Sequence, residues 1–260
     1  MRFRPCIDIH NGQVKQIVGG SLSDCGDKAC ENFASLHTAD YYADLYKRDG
    51  LDGGHVILLN PPSSQYYERT RKQAMRALDA FPGGLQIGGG ITAENASDYL
   101  DAGASHVIVT SYVFREGRVC WECMEKLKQI IGKEHVVIDL SCRKREGSYY
   151  IVTDRWQKFT EVKLSKDILD EISQYCDEFL IHGVDVEGKA SGIDETLAAI
   201  LGGCTASPLA LPLTYAGGIG SIGDIEHFRA VTGGRVDFTI GSALDLFGGP
   251  LPYDTIKKIK

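Results

Sequence analysis

The chain alternates between two kinds of segment along its whole length, and this alternation constrains its fold more than any other feature. Eight short runs are rich in aliphatic and β-branched residues: RPCIDI, GHVILL, GLQIGG, HVIVTS, HVVIDLS, EFLIHGVD, LPLTYAGG and VDFTIGS. Helix-like patterns follow them, near residues 39–48, 66–80, 93–102, 119–131, 166–175, 194–201, 221–231 and 253–259. Strands that alternate with amphipathic helices form βα units on a parallel sheet. Eight such units predict an α/β chain closed into a (β/α)8 TIM barrel, a single domain over residues 1–260. Two longer stretches, QVKQIVGGSLSDCGDKACENF and RKREGSYYIVTDRWQKF, follow the first and fifth strands, at the end where a barrel carries its site.

The two halves of the sequence also resemble each other at a shift of about 130 residues, a self-similarity that points to a repeat architecture. CIDI with Asp8 matches VIDL with Asp139, GGGI (88–91) matches AGGI (216–219), and VIVTSYVF matches FTIGSALDLF. The repeat predicts two half-barrels, roughly 1–132 and 133–260, each with one carboxylate and one glycine-rich turn.

Composition narrows the partners. A net charge of −7 works against general nucleic-acid or anionic-membrane binding, which needs clustered Lys and Arg. No apolar run reaches the roughly 18 residues of a membrane helix, and the N-terminus lacks a signal peptide's apolar segment. A small-molecule ligand is expected. Cys6, Cys142 and Cys176 sit in or beside apolar strand and helix patterns, as reduced thiols do, so a cytoplasmic setting is expected. Cys120-Trp-Glu-Cys123 has redox spacing but lies in the helical pattern VCWECMEKLKQI, and is expected to be two packing thiols. No P-loop, cofactor fingerprint or metal cluster is apparent, so no cofactor and no metal are expected.

Asp8 stands between Ile7 and Ile9 in a strand pattern, where Asp is disfavoured without a partner or a task. Its counterpart Asp139 ends the fifth strand, so the two are expected to face each other across the barrel mouth. Carboxylates in unlike surroundings can divide acid and base duties, and Arg143 and Lys144 are candidates for lowering one pKa. The plainer alternative pairs each Asp with a core cation or a strand-end N–H.

The glycine turns GGGITAEN and AGGIGSIGD lead into helices that Thr92 and Ser221 are expected to cap, a setting suited to anions. Thr110-Ser111 and Gly241-Ser242 end the following strands and are placed to complete each pocket, so a ligand with phosphates at both ends would fit; tight turns without a ligand are the alternative. His182 at the end of strand six and His10 beyond Asp8 are candidate helpers or packed polar residues. Trp156 is either a loop anchor or a stacking platform for a planar heterocycle.

Taken together, PCIDIHNG, QIGGGI, VIVTS, VVIDLSCRK, RWQ, DVEGKASGID and YAGGIGS resemble the phosphoribosylformimino-aminoimidazole carboxamide ribotide isomerases of histidine biosynthesis, in their eukaryotic-type branch. The resemblance covers essentially the whole chain. It implies a metal-free Amadori rearrangement of an aminoaldose bearing two phosphates. By the same resemblance Asp8 is the general base and Asp139 the general acid. Gly90 and Ser111 would hold one phosphate, and Gly192, Gly218, Gly241 and Ser242 the other; Trp156 would stack on the substrate under a loop containing Gly20. Bacterial-type members carry Thr in place of His182 and commonly Arg in place of Thr92, so His182 is the open choice for a third catalytic group. The nearest rival is the paralogous cyclase subunit of imidazole glycerol phosphate synthase, which works with a glutaminase partner. VTSYVF and Trp156 favour the isomerase, expected as a monomer with no obligate protein partner.

Overall fold

The computed structural model describes residues 1–17, 31–154, 156–205 and 211–259. All eight predicted barrel strands are present: β1 (Cys6–His10), β2 (Gly54–Leu58), β3 (Leu85–Gly88), β4 (His106–Val109), β5 (Val136–Asp139), β6 (Glu178–His182), β7 (Leu213–Ala216) and β8 (Asp237–Thr239). Each pairs in parallel with the next. The ring closes where the chain just before β1 meets β8: Phe3 bridges Phe238, and the Arg4 N–H reaches the Phe238 carbonyl at 2.8 Å. The helices are α1 (Ala39–Arg48), α2 (Tyr67–Ala80), α3 (Ala96–Asp101), α4 (Trp121–Ile131), α5 (Lys166–Ile172), α6 (Glu195–Cys204), α7 (Ile222–Thr232) and α8 (Tyr253–Ile256).

Alternation along each strand sorts the side chains. Ile7 and Ile9, Val56 and Leu58, Val136 and Ile138, and Phe179 and Ile181 belong to the large core between strands and helices. Onto it α1 turns Ala39, Tyr42, Ala43 and Tyr46, one helical stripe. The residues between them point into the barrel, where Ile57, Ile108, Val137 and Leu180 form a small apolar layer. Below that layer lies a polar plug. Buried Arg4 contacts Glu178 at 3.3 Å and Asp237 at 2.9 Å, and Glu178 also accepts hydrogen bonds from Gln86 and Thr214. Above it, at the mouth, stand Asp8 and Asp139.

The secondary structure departs from the sequence expectations in three places. The stretch after β5 is a three-stranded antiparallel sheet (Cys142–Arg145, Ser148–Thr153, Lys158–Lys163). Two short strands after β1, Gln13–Ile17 and Glu31–Ala34, extend the barrel sheet itself. Third, Thr92 caps no helix: α3 begins at Ala96, behind Asn95. The Asn95 side chain accepts from the Thr92 N–H and donates to the Gly90 carbonyl, which holds this stretch as a turn. Ser221 does cap α7, accepting the Asp224 N–H at 3.1 Å, while the Asp224 carboxylate accepts the Gly220 N–H at 2.9 Å.

Removing Arg4 leaves the buried Glu178 carboxylate without its cation, whereas Asp237 keeps Arg2. Arg4→Met is expected to cost about 3 kcal/mol in urea denaturation at pH 8. Burial already pushes Glu178 up, against the opposing pull of Arg4, so it takes a proton readily without that partner. The loss should therefore shrink towards pH 5, and an unchanged loss across this range would contradict the plug's electrostatic origin.

Candidate active site

The barrel mouth is one cavity of about 990 Å3, lined among others by Asp8, Asp139, His182, Glu187 and Trp156, by Gly90 and Ser111 on one side, and by Gly218, Gly241 and Ser242 on the other. The repeat therefore brings both aspartates and both glycine turns to a single space. Among the described residues, one predicted residue is absent from its lining. Gly192 packs behind the second turn, its N–H donating to the Gly218 carbonyl at 2.9 Å. Gly20 lies outside the described residues.

The turns need glycine for steric reasons. Gly89 has φ +101°, and a Cβ there would collide with the Leu58 carbonyl; Gly218 has φ +75° and faces the Gly192 carbonyl in the same way. Gly90 (φ +71°) has only Pro62 near its Cβ position, so its open side belongs to the cavity.

Asp139 is held by three donors. The Thr110 hydroxyl lies 3.1 Å from Oδ2, the Ser141 hydroxyl 2.9 Å from Oδ1, and His182 Nδ1 3.1 Å from Oδ1. The Trp156 indole N–H donates to the Ser141 hydroxyl at 3.0 Å, and its ring lies 5.9 Å from that of His182. Trp156 thus sits over the Asp139 side of the mouth, with its own backbone at φ +69°. Burial opposes a charge on His182, but Asp139 beside it, then Glu187 and Asp8, outweigh that and push its pKa up to about 9. Arg143 and Lys144 do not serve Asp139. The Arg143 guanidinium pairs with Asp185 at 3.0 Å, and the Lys144 backbone N–H donates to the same carboxylate.

Asp8 has a different setting. Burial first, then the Glu187 carboxylate, push it up to about 7, against weaker downward pulls from His182 and the Gln16 amide. Gln16 Nε2 donates to Asp8 Oδ2 at 3.3 Å. His55, inward-facing on β2, is driven down to about 3 by burial and by the charge of His182, so it is neutral. His10 is buried but does not line the cavity.

Three of these groups carried no role in the sequence reading. Ser141 follows Asp139 by two residues and so shares its face, a signal that was available. Gln16 is a polar residue in QVKQI, whose antiparallel pairing with β1 is not legible in the chain. Glu187 lies five residues past His182, and irregular backbone returns it to the mouth; burial pushes its carboxyl up, and its Oε2 meets no hydrogen-bond partner among the described residues.

Two unlike carboxylates at a mouth with twin glycine turns narrow the fold to few chemistries, and comparison with known proteins decides among them. The model of the histidine biosynthesis protein family matches residues 2–249. The chain belongs to the histidine biosynthesis protein family. A Medicago truncatula chloroplastic relative is 52% identical over 260 residues, covering 98% of this chain and 80% of that protein. Relatives from Yarrowia lipolytica (43% identical, 95% and 93% covered) and Saccharomyces cerevisiae (43%, 96% and 94%) match over nearly their full lengths. All three are named 1-(5-phosphoribosyl)-5-((5-phosphoribosylamino)methylideneamino)imidazole-4-carboxamide isomerase.

The Gln16 amide is the only side-chain hydrogen-bond donor to Asp8 among the described residues. A long bond to a charged acceptor is worth about 1 kcal/mol, or roughly 0.7 of a pH unit. Gln16→Leu should move the acid limb of the kcat/KM profile upward by about that much, lowering activity roughly fivefold well below pH 7 and little at pH 8.5. A uniform loss at every pH would count against this role for Gln16.

Proposed function

We infer that this chain is the isomerase of its family: it converts the bis-phosphorylated aminoaldose of histidine biosynthesis to the aminoketose by an Amadori rearrangement. Near full-length similarity to three relatives bearing that enzyme name supports it. The observation that carries the mechanism is the pair of aspartates in one cavity, Asp139 beside a proton-bearing His182 and Asp8 pushed up to about 7.

The proton for the ring oxygen comes from the Asp139–His182 pair. Asp139 faces the substrate as the general acid, and His182 supplies the proton through their 3.1 Å contact. Protonation lets the C1–O bond break, opening the ribose to a Schiff base. Asp8 then takes the C2 proton as general base. The resulting enol becomes the ketone as C1 gains a proton and the C2 hydroxyl loses one, so no atoms are gained or lost overall. A pKa near 7 suits a base working at neutral pH. Gly90 and Ser111 hold one phosphate; Gly218, Gly241 and Ser242 hold the other, with Gly192 supporting Gly218 from behind. Trp156 stacks on the substrate. Gly20 keeps its proposed place in the closing loop.

The proposal includes a single barrel domain of two half-barrels, acting as a monomer without an obligate protein partner. It also includes a cytoplasmic location, although the Medicago relative is named as chloroplastic. Among the described residues no helix is long and apolar enough to cross a membrane.

Asp8→Asn and Asp139→Asn should each lower kcat roughly a hundred- to ten-thousandfold. The wild-type kcat/KM profile should rise through about pH 7 as Asp8 loses its proton and fall through about pH 9 as His182 loses its own. A raised carboxyl pKa costs stability once the group must ionise, so Asp8→Asn should be more stable than wild type by about 1–3 kcal/mol above pH 7. That gain should fade as the pH falls from 7 towards 4. Near wild-type turnover in either variant would sink the acid–base assignment, while conversion of the aminoketose and ammonia to imidazole glycerol phosphate would favour the cyclase instead.

A further inference from the structure

Cys120 and Cys123 are joined by a disulfide, with Cα atoms 5.2 Å apart, where the sequence suggested two packing thiols. The other cysteines of the described residues, Cys6, Cys142, Cys176 and Cys204, are free and buried. Burial pushes the thiols of all four up, which leaves them unreactive. A bridge across two intervening residues restricts little of the unfolded chain, so entropy gives it small value as a staple.

Its location suggests another use. Cys120 is the N-cap of α4 and half-buried; Cys123 is buried one turn inside. The Cys120 N–H donates to the Val113 carbonyl at 2.9 Å, across the hairpin of Phe114–Arg115 and Arg118–Val119. The Val113 N–H donates to the Thr110 carbonyl at 3.1 Å, closing the turn that contains Ser111, and the Thr110 hydroxyl binds Asp139. From the other side of α4, Lys126 pairs with Glu94 at 2.5 Å, in the turn just past Gly90. The first turn of α4 therefore braces both segments of the Gly90/Ser111 pocket.

We propose that Cys120–Cys123 is a reversible thiol–disulfide exchange site whose state sets how firmly the Gly90/Ser111 pocket is held. The reactant is a dithiol. Its thiolate attacks the more accessible Cys120 sulfur, the Cys120–Cys123 bond breaks, and its electron pair leaves on Cys123, at the third position of α4, where free helix N–H groups favour negative charge. Cys123 then takes a proton. The second thiol of the reductant attacks the mixed disulfide, releases Cys120 as a thiol and leaves the reductant as a disulfide. Two electrons and two protons have passed to the protein, and exchange with a disulfide reverses the step. Once the bridge opens, the α4 cap loses a covalent restraint and the 110–113 turn loosens.

The assignment of Gly90 and Ser111 to a phosphate rests on the proposed function, whereas the exchange itself does not. The full chain is equilibrated in buffers of graded reduced and oxidised dithiothreitol, trapped natively with iodoacetamide and digested. The expected result is a cooperative two-label transition on the peptide containing Cys120 and Cys123, with Cys6, Cys142, Cys176 and Cys204 unlabelled. Across the same series KM for the aminoaldose should rise about threefold to tenfold on reduction, with kcat within about twofold, and Cys120→Ser/Cys123→Ser should show no dependence on the buffer. A pair that stays dithiol or stays disulfide at every ratio overturns the exchange site. A two-label transition with an unchanged KM overturns the coupling to the pocket. If the chain lacks isomerase activity in every buffer, the functional assignment fails while the labelling still reports on the exchange.

Discussion

Closure of a parallel sheet into a ring forces every strand to satisfy two unlike surroundings at once. One face meets the helices and the other meets the barrel axis, so a shift of one residue would exchange them. In β1 this places Ile7 and Ile9 in the outer core and turns Cys6 and Asp8 inward. The same alternation puts Val137 in the inner apolar layer and Asp139 above it. The carboxylate that looked misplaced between two isoleucines has the only orientation the ring permits.

The interior is ordered along the axis as plug, apolar layer and mouth. The Arg4–Glu178–Asp237 plug fills the lower end, with Arg2 as a second cation on Asp237. The mouth gathers Asp8, Asp139 and Glu187 around His182, and two of these carboxyls are pushed upward. Such crowding of like groups is unfavourable for a structure that only has to fold. The apolar layer between the two ends lets the lower charges be neutralised without weakening the contrasts at the top.

Strands and helices were legible because their patterns are periodic; α1 spans the predicted residues 39–48. The aspartate pair was legible because the sequence repeats. What escaped depended on contacts between distant or irregular segments. Asn95 captures the Thr92 N–H and the Gly90 carbonyl and so delays α3, a local competition that a list of cap residues cannot rank. His182, rather than nearby Arg143, became the cation beside Asp139, because Asp185 already holds Arg143. Glu187 belonged to a quoted motif, yet only the folded loop reveals its return to the mouth. The disulfide was set aside for its helical context, which turns out to present Cys120 at the helix end.

The seam that closes the ring has a consequence for how this chain is made. Arg4 meets Asp237 across 233 residues, and Phe3 pairs with Phe238. Neither half of the repeat can complete that junction alone. On a ribosome, the seam must therefore wait until the eighth strand has emerged, although the mouth end of β1 is already covered by Gln13–Ile17. Contacts of such long range slow folding and leave exposed edges open to misassembly. Closure thus waits for the eighth strand, and that interval is when the unfinished ring is open to its neighbours.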